Sequence, residues 1–338
     1  YFMQFPSQFI NQVKAAINLS DIIGRKVKLT QAGSMRMKGC CPFHQEKTAS
    51  FYVMEDAKNY HCFGCNAHGD AISFLQEIEG YDFVEAITYL ANMAGIAVPK
   101  FEPKNPEQTK KINDLAQILK LAQQIFALNL ENSQYQFAVK YFQNRGISKS
   151  KWSKFGLGYA VGNKQLLNYF KEHNIDLEIG VQLGLLKKSQ KGDYYDFFQN
   201  RVIFTIFDLK NQPIAFGGRV LDDSLPKYLN SPENIFFKKR QTIYNLNNAK
   251  KAAYQQKQLI VSEGYMDVIA FSNHGFENAV APLGTAISQE HIQQLWQINS
   301  EPIISLDGDS AGIKAMYRLA ALAMPILKPG YSLRFVKL

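Results

Sequence analysis

Four residues constrain this chain more than any others: Cys41-Pro-Phe-His44 and, after a gap of seventeen residues, Cys62-Phe-Gly-Cys65. Two residues between the members of each pair let both side chains of a turn face one ion, and the gap is the size of a hairpin. The pattern predicts a tetrahedral zinc held by Cys41, His44, Cys62 and Cys65. Four protein ligands close the coordination shell, so such a zinc is structural. Phe63 and Gly64 suit the tight knuckle this requires. The bland alternative is a set of buried cysteines beside a chance histidine. Cys40, His61 and His68 compete for ligand roles. Cys40 and His61 adjoin better-spaced ligands, and neighbours on a strand point to opposite faces, so neither is assigned. Four cysteines in 338 residues favour metal or packing over disulfides, and a chain of this length buries a core without staples.

The formal charge is +9, from 38 Lys+Arg against 29 Asp+Glu, and it is unevenly spread. Residues 1–40 carry +5, 41–100 carry −5, 138–260 carry +11 and 261–338 carry −2. A basic middle beside an acidic end fits a polyanion-binding surface next to a carboxylate site, and equally a lysine-rich solvated face. The basic approach to the cysteine cluster (Arg25, Lys26, Lys28, Arg36, Lys38) and the aromatics Phe43, Phe51, Tyr60 and Phe63 suit a single-strand binder, although several of those rings must also build the small core. No run of about 18 apolar residues occurs, so no membrane span is expected. The N-terminus lacks the order of a signal peptide.

Phe9–Ile23 reads as one amphipathic helix, Val27–Phe63 as a strand-rich block, and Asp70–Ala91 as one or two helices. Three prolines in Val98–Pro106 mark a linker, followed by a helix over Asn113–Leu130. Tyr141–Leu246 reads as apolar strands between Gly, Asn and Asp turns, clearest at Arg201–Phe207 and Pro213–Gly218. Beyond Lys257, the short apolar runs Leu259–Val261, Ala279–Ala281 and Ile303–Leu306 alternate with helical patterns, as in a buried parallel sheet. The expected class is multidomain α+β and α/β. The expected divisions are residues 3–100, a linker over 101–112, a mixed region over 113–256 and a parallel-sheet region over 257–338.

Two of those runs end in acids, Glu263-Gly-Tyr-Met-Asp267 and Asp307-Gly-Asp309. Open α/β sheets bind ligands at the carboxyl ends of their strands. Three converging carboxylates repel one another unless hard cations sit among them, and an oxygen-only set suits Mg²⁺ or Mn²⁺ in phosphoryl transfer. The competing reading is that such acids are helix N-caps, Asp309 before Ser310 above all. The chain has no Gly-Lys dipeptide and hence no Walker A loop.

Six segments occur in order: Cys41-Pro-Phe-His44-Gln-Glu-Lys-Thr48, Tyr60-His-Cys-Phe-Gly-Cys65, Phe216-Gly-Gly-Arg-Val220, Pro226-Lys-Tyr-Leu-Asn-Ser-Pro232, Glu263-Gly-Tyr-Met-Asp267 and Asp307-Gly-Asp-Ser-Ala-Gly312. Together they resemble the bacterial replicative DNA primases, over essentially the whole chain. The resemblance implies a zinc-ribbon template-binding domain, then an RNA polymerase domain made of an N-terminal α+β subdomain and a topoisomerase–primase (TOPRIM) sheet flanked by helices. It implies DNA-templated synthesis of short RNA primers from ribonucleoside triphosphates on single-stranded DNA, in the cytoplasm at the replication fork, with the replicative helicase as partner. It also implies the same four zinc ligands, and magnesium at Glu263, Asp307 and Asp309. Asp267 completes the acidic turn, Lys239 joins the catalytic set, and Arg201, Arg219, Lys227, Tyr228 and Asn230 match the basic cleft for template and nucleotide. Glu263 as a general base stays open. Ala49 and Asn66 depart from the family pattern beside the zinc ligands. The resemblance further implies another acidic loop and a helicase-binding domain beyond Leu338, so the chain is expected to be a fragment. The competing functions are a non-enzymatic single-stranded DNA-binding module and a TOPRIM-type nuclease or topoisomerase; for the last, none of the seventeen tyrosines stands out as a nucleophile.

Overall fold

A computed structural model describes residues 5–99, 106–284 and 287–337 and falls into two units, Tyr1–Glu102 and Pro103–Leu338. The first unit opens with α1 (Ser7–Ala16) and α2 (Leu19–Ile23). An antiparallel sheet follows in the order β1 (Thr30–Gly33), β2 (Arg36–Gly39), β3 (Phe51–Met54), β4 (Asn59–Cys62), β5 (His68–Gly69), and then α3 (Ala71–Glu79) and α4 (Phe83–Met93). Burial alternates along β3 and β4, so Phe51, Val53, Tyr60 and Cys62 face the core.

The helix expected over Phe9–Ile23 is broken in two. Ile17 is extended and buried, and side chains from the β3–β4 turn bond the freed backbone groups. Glu55 accepts from the amides of Leu19 and Ser20, and Lys58 Nζ donates to Ile17 O at 2.6 Å. These partners lie some 35 to 41 residues away, out of reach of a periodicity argument. The Asp70–Ala91 region is two helices, because Gly80 ends α3 in the left-handed region and Asp82 caps α4 with a capping box.

The second unit begins with α5 (Pro106–Asn129), seven residues earlier than the expected start at Asn113. Proline at the first helical position forfeits no intrahelical hydrogen bond, so this one starts the helix. Residues 100–105 of the expected linker lie outside the described residues. Gly158 lets α5 lie close to the sheet, since a Cβ there would stand 2.6 Å from Phe126 Cβ.

Next come α6 (Gln136–Asn144), α7 (Trp152–Phe155), β6 (Leu157–Ala160), α8 (Gln165–Glu172), α9 (Leu177–Gln182), and a hairpin of β7 (Leu186–Lys188) and β8 (Tyr194–Asp196). The expected run of strands over Tyr141–Leu246 is thus interrupted by short helices whose apolar spacing (Leu166, Leu167, Phe170) is helical. β9 (Arg201–Phe207), β10 (Pro213–Val220) and β11 (Tyr228–Asn230) join β6 in an antiparallel sheet ordered β11-β10-β9-β6.

The rest of the chain is β12 (Ile243–Tyr244), α10 (Leu246–Gln256), β13 (Ile260–Val261), α11 (Tyr265–Asn273), β14 (Ala279–Pro282), α12 (Gln289–Trp296), β15 (Ile303–Leu306), α13 (Ser310–Ala323) and β16 (Arg334–Lys337). The sheet order is β12-β14-β13-β15-β16; β14, β13, β15 and β16 are parallel and β12 is antiparallel to β14.

Glu277 ties α11 to the turn before β6. Lys151 Nζ lies 3.0 Å from it, Lys154 bonds its other oxygen, and Ser272 Oγ donates at 2.9 Å. Burial pushes its carboxyl up, but the two lysines and Ser272 outweigh that and hold it at about 2. A depressed folded-state value contributes stability above the ordinary 4.5, which is lost as pH falls from there toward 2. Glu277→Gln is expected to flatten the stability profile in that window and to cost about 1–2 kcal/mol at neutral pH, the contribution of the depressed carboxyl being reduced by partial solvation of the pair; thermal unfolding across pH checks both.

Candidate metal centres and nucleic-acid cleft

The four expected zinc ligands converge. Their donor atoms lie within 4.8 Å of one another, and among the described residues this is the group of three or more Cys, His, Asp or Glu gathered closely enough to share an ion. Cys41 Sγ is 3.7 Å from Cys65 Sγ and Cys62 Sγ is 3.8 Å from His44 Nδ1. A tetrahedron with metal–sulfur bonds of about 2.3 Å has edges of about 3.8 Å. Backbone amides point at the sulfurs, Phe43 N at Cys41 Sγ (3.3 Å) and Gly64 N at Cys62 Sγ (3.3 Å). With Nδ1 turned to the sulfurs, His44 Nε2 sits 3.3 Å from Glu46, which also accepts from Cys41 N and Ser50 N. A carboxylate behind a histidine ligand orients the ring.

Burial pushes the Cys41 thiol up to about 12. Burial acts on Cys62 in the same direction, yet Ser50 Oγ and the amides of Cys65 and Gly64 outweigh it and stabilise the thiolate. Cys40 is exposed, while His61 Nδ1 is buried without a partner among the described residues. At Gly64 a Cβ would meet His44 Nε2 at 2.7 Å.

The aromatics of this unit divide in a way their sequence did not reveal. Phe43, Phe51 and Tyr60 are buried in the core, where Phe43 and Phe51 stack on Tyr60 and Phe74 meets Tyr60 edge-on, whereas Phe63 is 68% exposed. The outer sheet face carries a cross-strand row, Lys38 opposite Tyr52, Tyr52 opposite His61, His61 opposite His68. Phe63 packs on Tyr52 and His61 at 5.5 and 4.6 Å. Arg25 and Lys26 point elsewhere, to Tyr89 and Glu79.

In the second unit, Glu263, Asp307 and Asp309 line one cavity of about 260 Å³ with Arg318 and apolar side chains of α13. The parallel pairing of β13 with β15 brings Glu263 beside Asp307, and Asp307 N donates to Glu263 Oε1 at 2.9 Å. Asp309 is the N-cap of α13, accepting from Ala311 N and Gly312 N at 2.9 and 2.8 Å. Gly312 is needed there, since a Cβ would stand 2.0 Å from Asp307 O. Asp267 likewise accepts from Gly264 N at 2.9 Å at the start of α11, half of a capping box, since Gly264 has no side chain to return the bond. Capping and metal binding are compatible, because each cap uses one carboxylate oxygen. Burial raises the Asp267 carboxyl, Gly264 N draws it down and the Asp307 charge raises it further.

The basic residues form two groups. Arg219 lies over the rings of Tyr141 (5.0 Å) and Tyr228 (5.5 Å), and donates to Tyr141 Oη. Arg145 lies over Tyr141 at 5.8 Å. Tyr141 and Arg145 were not anticipated; 74 residues separate Arg145 from Arg219, and no motif spacing links them. Burial raises the Tyr228 hydroxyl, the Arg219 charge lowers it and the Asp267 charge raises it; the Tyr228 ring stacks toward Tyr265, the first residue of α11, at 6.4 Å. Asn230 accepts from Tyr265 Oη at 2.7 Å, and Lys227 is exposed.

Arg201 stands apart. It is 7% exposed and its Nη1 faces the carbonyls of Pro226 (2.9 Å), Gly218 and Lys227 (both 3.4 Å), so it holds the loop that carries Lys227. Lys239 sits in an irregular segment, its amide donating to Glu233 at 3.0 Å.

Three family models cover the chain: "CHC2 zinc finger" over residues 5–106, "DNA primase catalytic core, N-terminal domain" over 125–250 and "Toprim domain" over 257–337. The zinc-binding and RNA polymerase domains of Aquifex aeolicus primase match 98% of this chain and 79% of their own, at 32% identity and a TM-score of 0.60. The chain belongs to the DNA primase family. The catalytic domain of a DnaG primase solved bound to single-stranded DNA is 34% identical over 68% of this chain and 74% of its own, with a TM-score of 0.63. The DNA primase of Rickettsia felis is 38% identical over 336 residues, 99% of this chain. The chain spans 56% of that relative's length. The parallel sheet is therefore a Toprim domain and the cysteine cluster a zinc finger of the CHC2 type.

Metal analysis of the purified protein is expected to return about one zinc per chain. Gly64→Ala is expected to lose most of it, because its Cβ has no room beside His44; full retention would contradict the packing described.

Proposed function

We propose that the protein is a DNA primase, a nucleotidyltransferase that synthesises short RNA primers from ribonucleoside triphosphates on single-stranded DNA, at the replication fork and in partnership with the replicative helicase. The observation that carries this reading is a cationic, aromatic cluster (Arg145, Tyr141, Arg219, Tyr228) whose Tyr228 stacks toward Tyr265 at the start of α11, two residues after Glu263, which lines one cavity with Asp307 and Asp309. Stacking rings and guanidinium groups suit a single strand or a nucleotide.

Arg219, Lys227, Tyr228 and Asn230 hold and orient template and nucleotide, with Arg201 acting through the loop it grips. The outer ribbon face, Lys38, Tyr52, His61 and His68 with exposed Phe63, is a second stacking surface for the template. Zinc at Cys41, His44, Cys62 and Cys65 fixes that face. The oxygen-only donor chemistry of Glu263, Asp307 and Asp309 suits magnesium or manganese, although the three carboxylates line one cavity without gathering around a single point; when bound, the ion would supply activation of the primer 3′-hydroxyl and neutralise charge developing on the phosphates. Asp307 N fixes one Glu263 oxygen, and the Asp309 cap fixes the carboxylate's direction, so both groups are oriented before any ligand arrives. Lys239 contributes positive charge toward the triphosphate.

Incubation of the protein with a single-stranded template, ribonucleotides and Mg²⁺ is expected to give RNA oligomers. Shortened template would point to a nuclease, and binding without product to a binding module. Asn is as good an N-cap as Asp, so Asp309→Asn separates charge from structure. It is expected to lower synthesis by about 100-fold with an unchanged melting temperature; undiminished synthesis would remove Asp309 from the reaction.

A further inference from the structure

Residues 238–242 lead into β12, which pairs with β14 through Ile243 and Tyr244. The three carbonyls just before that ladder have no strand opposite them, and unpaired backbone acceptors are costly. The donors come from α12 and its N-cap, Ser288. Ser288 Oγ donates to Arg240 O at 2.8 Å, Gln294 Nε2 to Gln241 O at 2.9 Å and His291 Nε2 to Thr242 O at 3.1 Å. Spacing by three puts the donors on adjoining positions of one helix face. His291 Nδ1 accepts from Ser288 N at 3.2 Å, which leaves the ring proton on Nε2, where it faces Thr242.

From the other side, Glu233 accepts the Lys239 amide at 3.0 Å and its second oxygen lies 3.6 Å from Lys238 Nζ. Lys239 therefore stands on a segment with no helix or strand of its own, gripped by side chains that do not reach the cleft. His291 is 2% exposed, so any effect it has on chemistry passes through the segment it holds. The cavity bearing Glu263 and Asp307 is lined also by Gly284 and by Ile287, the residue before the N-cap of α12.

We infer that Ser288, His291 and Gln294 are positioning residues that hold Lys239 at a fixed place relative to the Toprim sheet, an inference that rests on the primase reading of Lys239. They couple a basic group outside the Toprim sheet to the acids on that sheet's rim.

A double-mutant cycle on primer synthesis tests this, together with labelling of lysines by acetic anhydride read by mass spectrometry. His291→Leu is expected to lower synthesis about tenfold in the natural background and less than about twofold when Lys239 is already Met, since groups acting as a unit are non-additive. His291→Gln, which restores a donor toward Thr242, is expected to recover most of the loss. Gln294→Ala, milder and partly exposed, should give a smaller loss with the same dependence on Lys239. Both His291→Leu and Gln294→Ala should change the labelling of Lys239 and leave that of Lys210 unaltered. Equal fold-losses in both backgrounds with Lys239 labelling unchanged would overturn the inference. Should Lys239→Met leave synthesis intact, the primase role of Lys239 falls and the labelling alone decides: altered Lys239 reactivity upholds the positioning, unaltered reactivity refutes it.

Discussion

The architecture of the second unit turns on holding like charges together. β13 pairs in parallel with both β14 and β15, so the chain leaves two neighbouring strands in the same direction and delivers Glu263 and Asp307 to one rim. Carboxylates in that position repel; the Asp267 carboxyl is raised first by burial and, to a lesser degree, by the Asp307 charge. Backbone amides relieve the repulsion: Asp307 N on Glu263, Gly264 N on Asp267, and the first amides of α13 on Asp309. Each such bond occupies one oxygen and aims the other. Helix capping and metal binding are therefore not exclusive, because the cap leaves one Asp309 oxygen free.

Around that rim, the cleft is built by residues whose own side chains never enter it. Gly217 leaves room for Tyr265, whose ring a Cβ would meet at 2.4 Å, and Tyr265 in turn bonds Asn230. Arg201 grips the loop before β11, and α12 grips the segment before β12. Positive charge is thus delivered on irregular backbone that neighbouring elements make rigid. In the zinc unit the same logic holds at smaller scale. Glu46 organises His44, Cys41 and Ser50 at once, and Glu55 with Lys58 bonds a broken helix across the sheet.

What could be read from the sequence was what local spacing encodes. The zinc ligands were legible because two residues between ligands is a geometric statement, and the parallel strands because buried apolar runs ending in acids have a distinctive look. The break at Ile17, the early start of α5 and the short helices between Tyr141 and Leu246 were hidden, the first because its partners lie far along the chain. Of the four aromatics that could have stacked on bases, Phe43, Phe51 and Tyr60 went to the core, and only strand register puts half-buried Tyr52 and His61 and exposed His68 on the outer face instead. The +11 of residues 138–260 is likewise not one surface. Arg201 is buried against carbonyls, Lys151 and Lys154 pair with Glu277, and Arg219 and Arg145 gather over Tyr141.

The central claim is that the acid rim binds a divalent cation through oriented carboxylates. Titration of the protein with Mn²⁺, followed by the loss of the free-ion paramagnetic resonance signal, measures this directly. The account predicts saturable binding that is abolished or weakened at least about tenfold in Asp307→Asn, with the zinc content unchanged. Equal Mn²⁺ binding in the two proteins would contradict it.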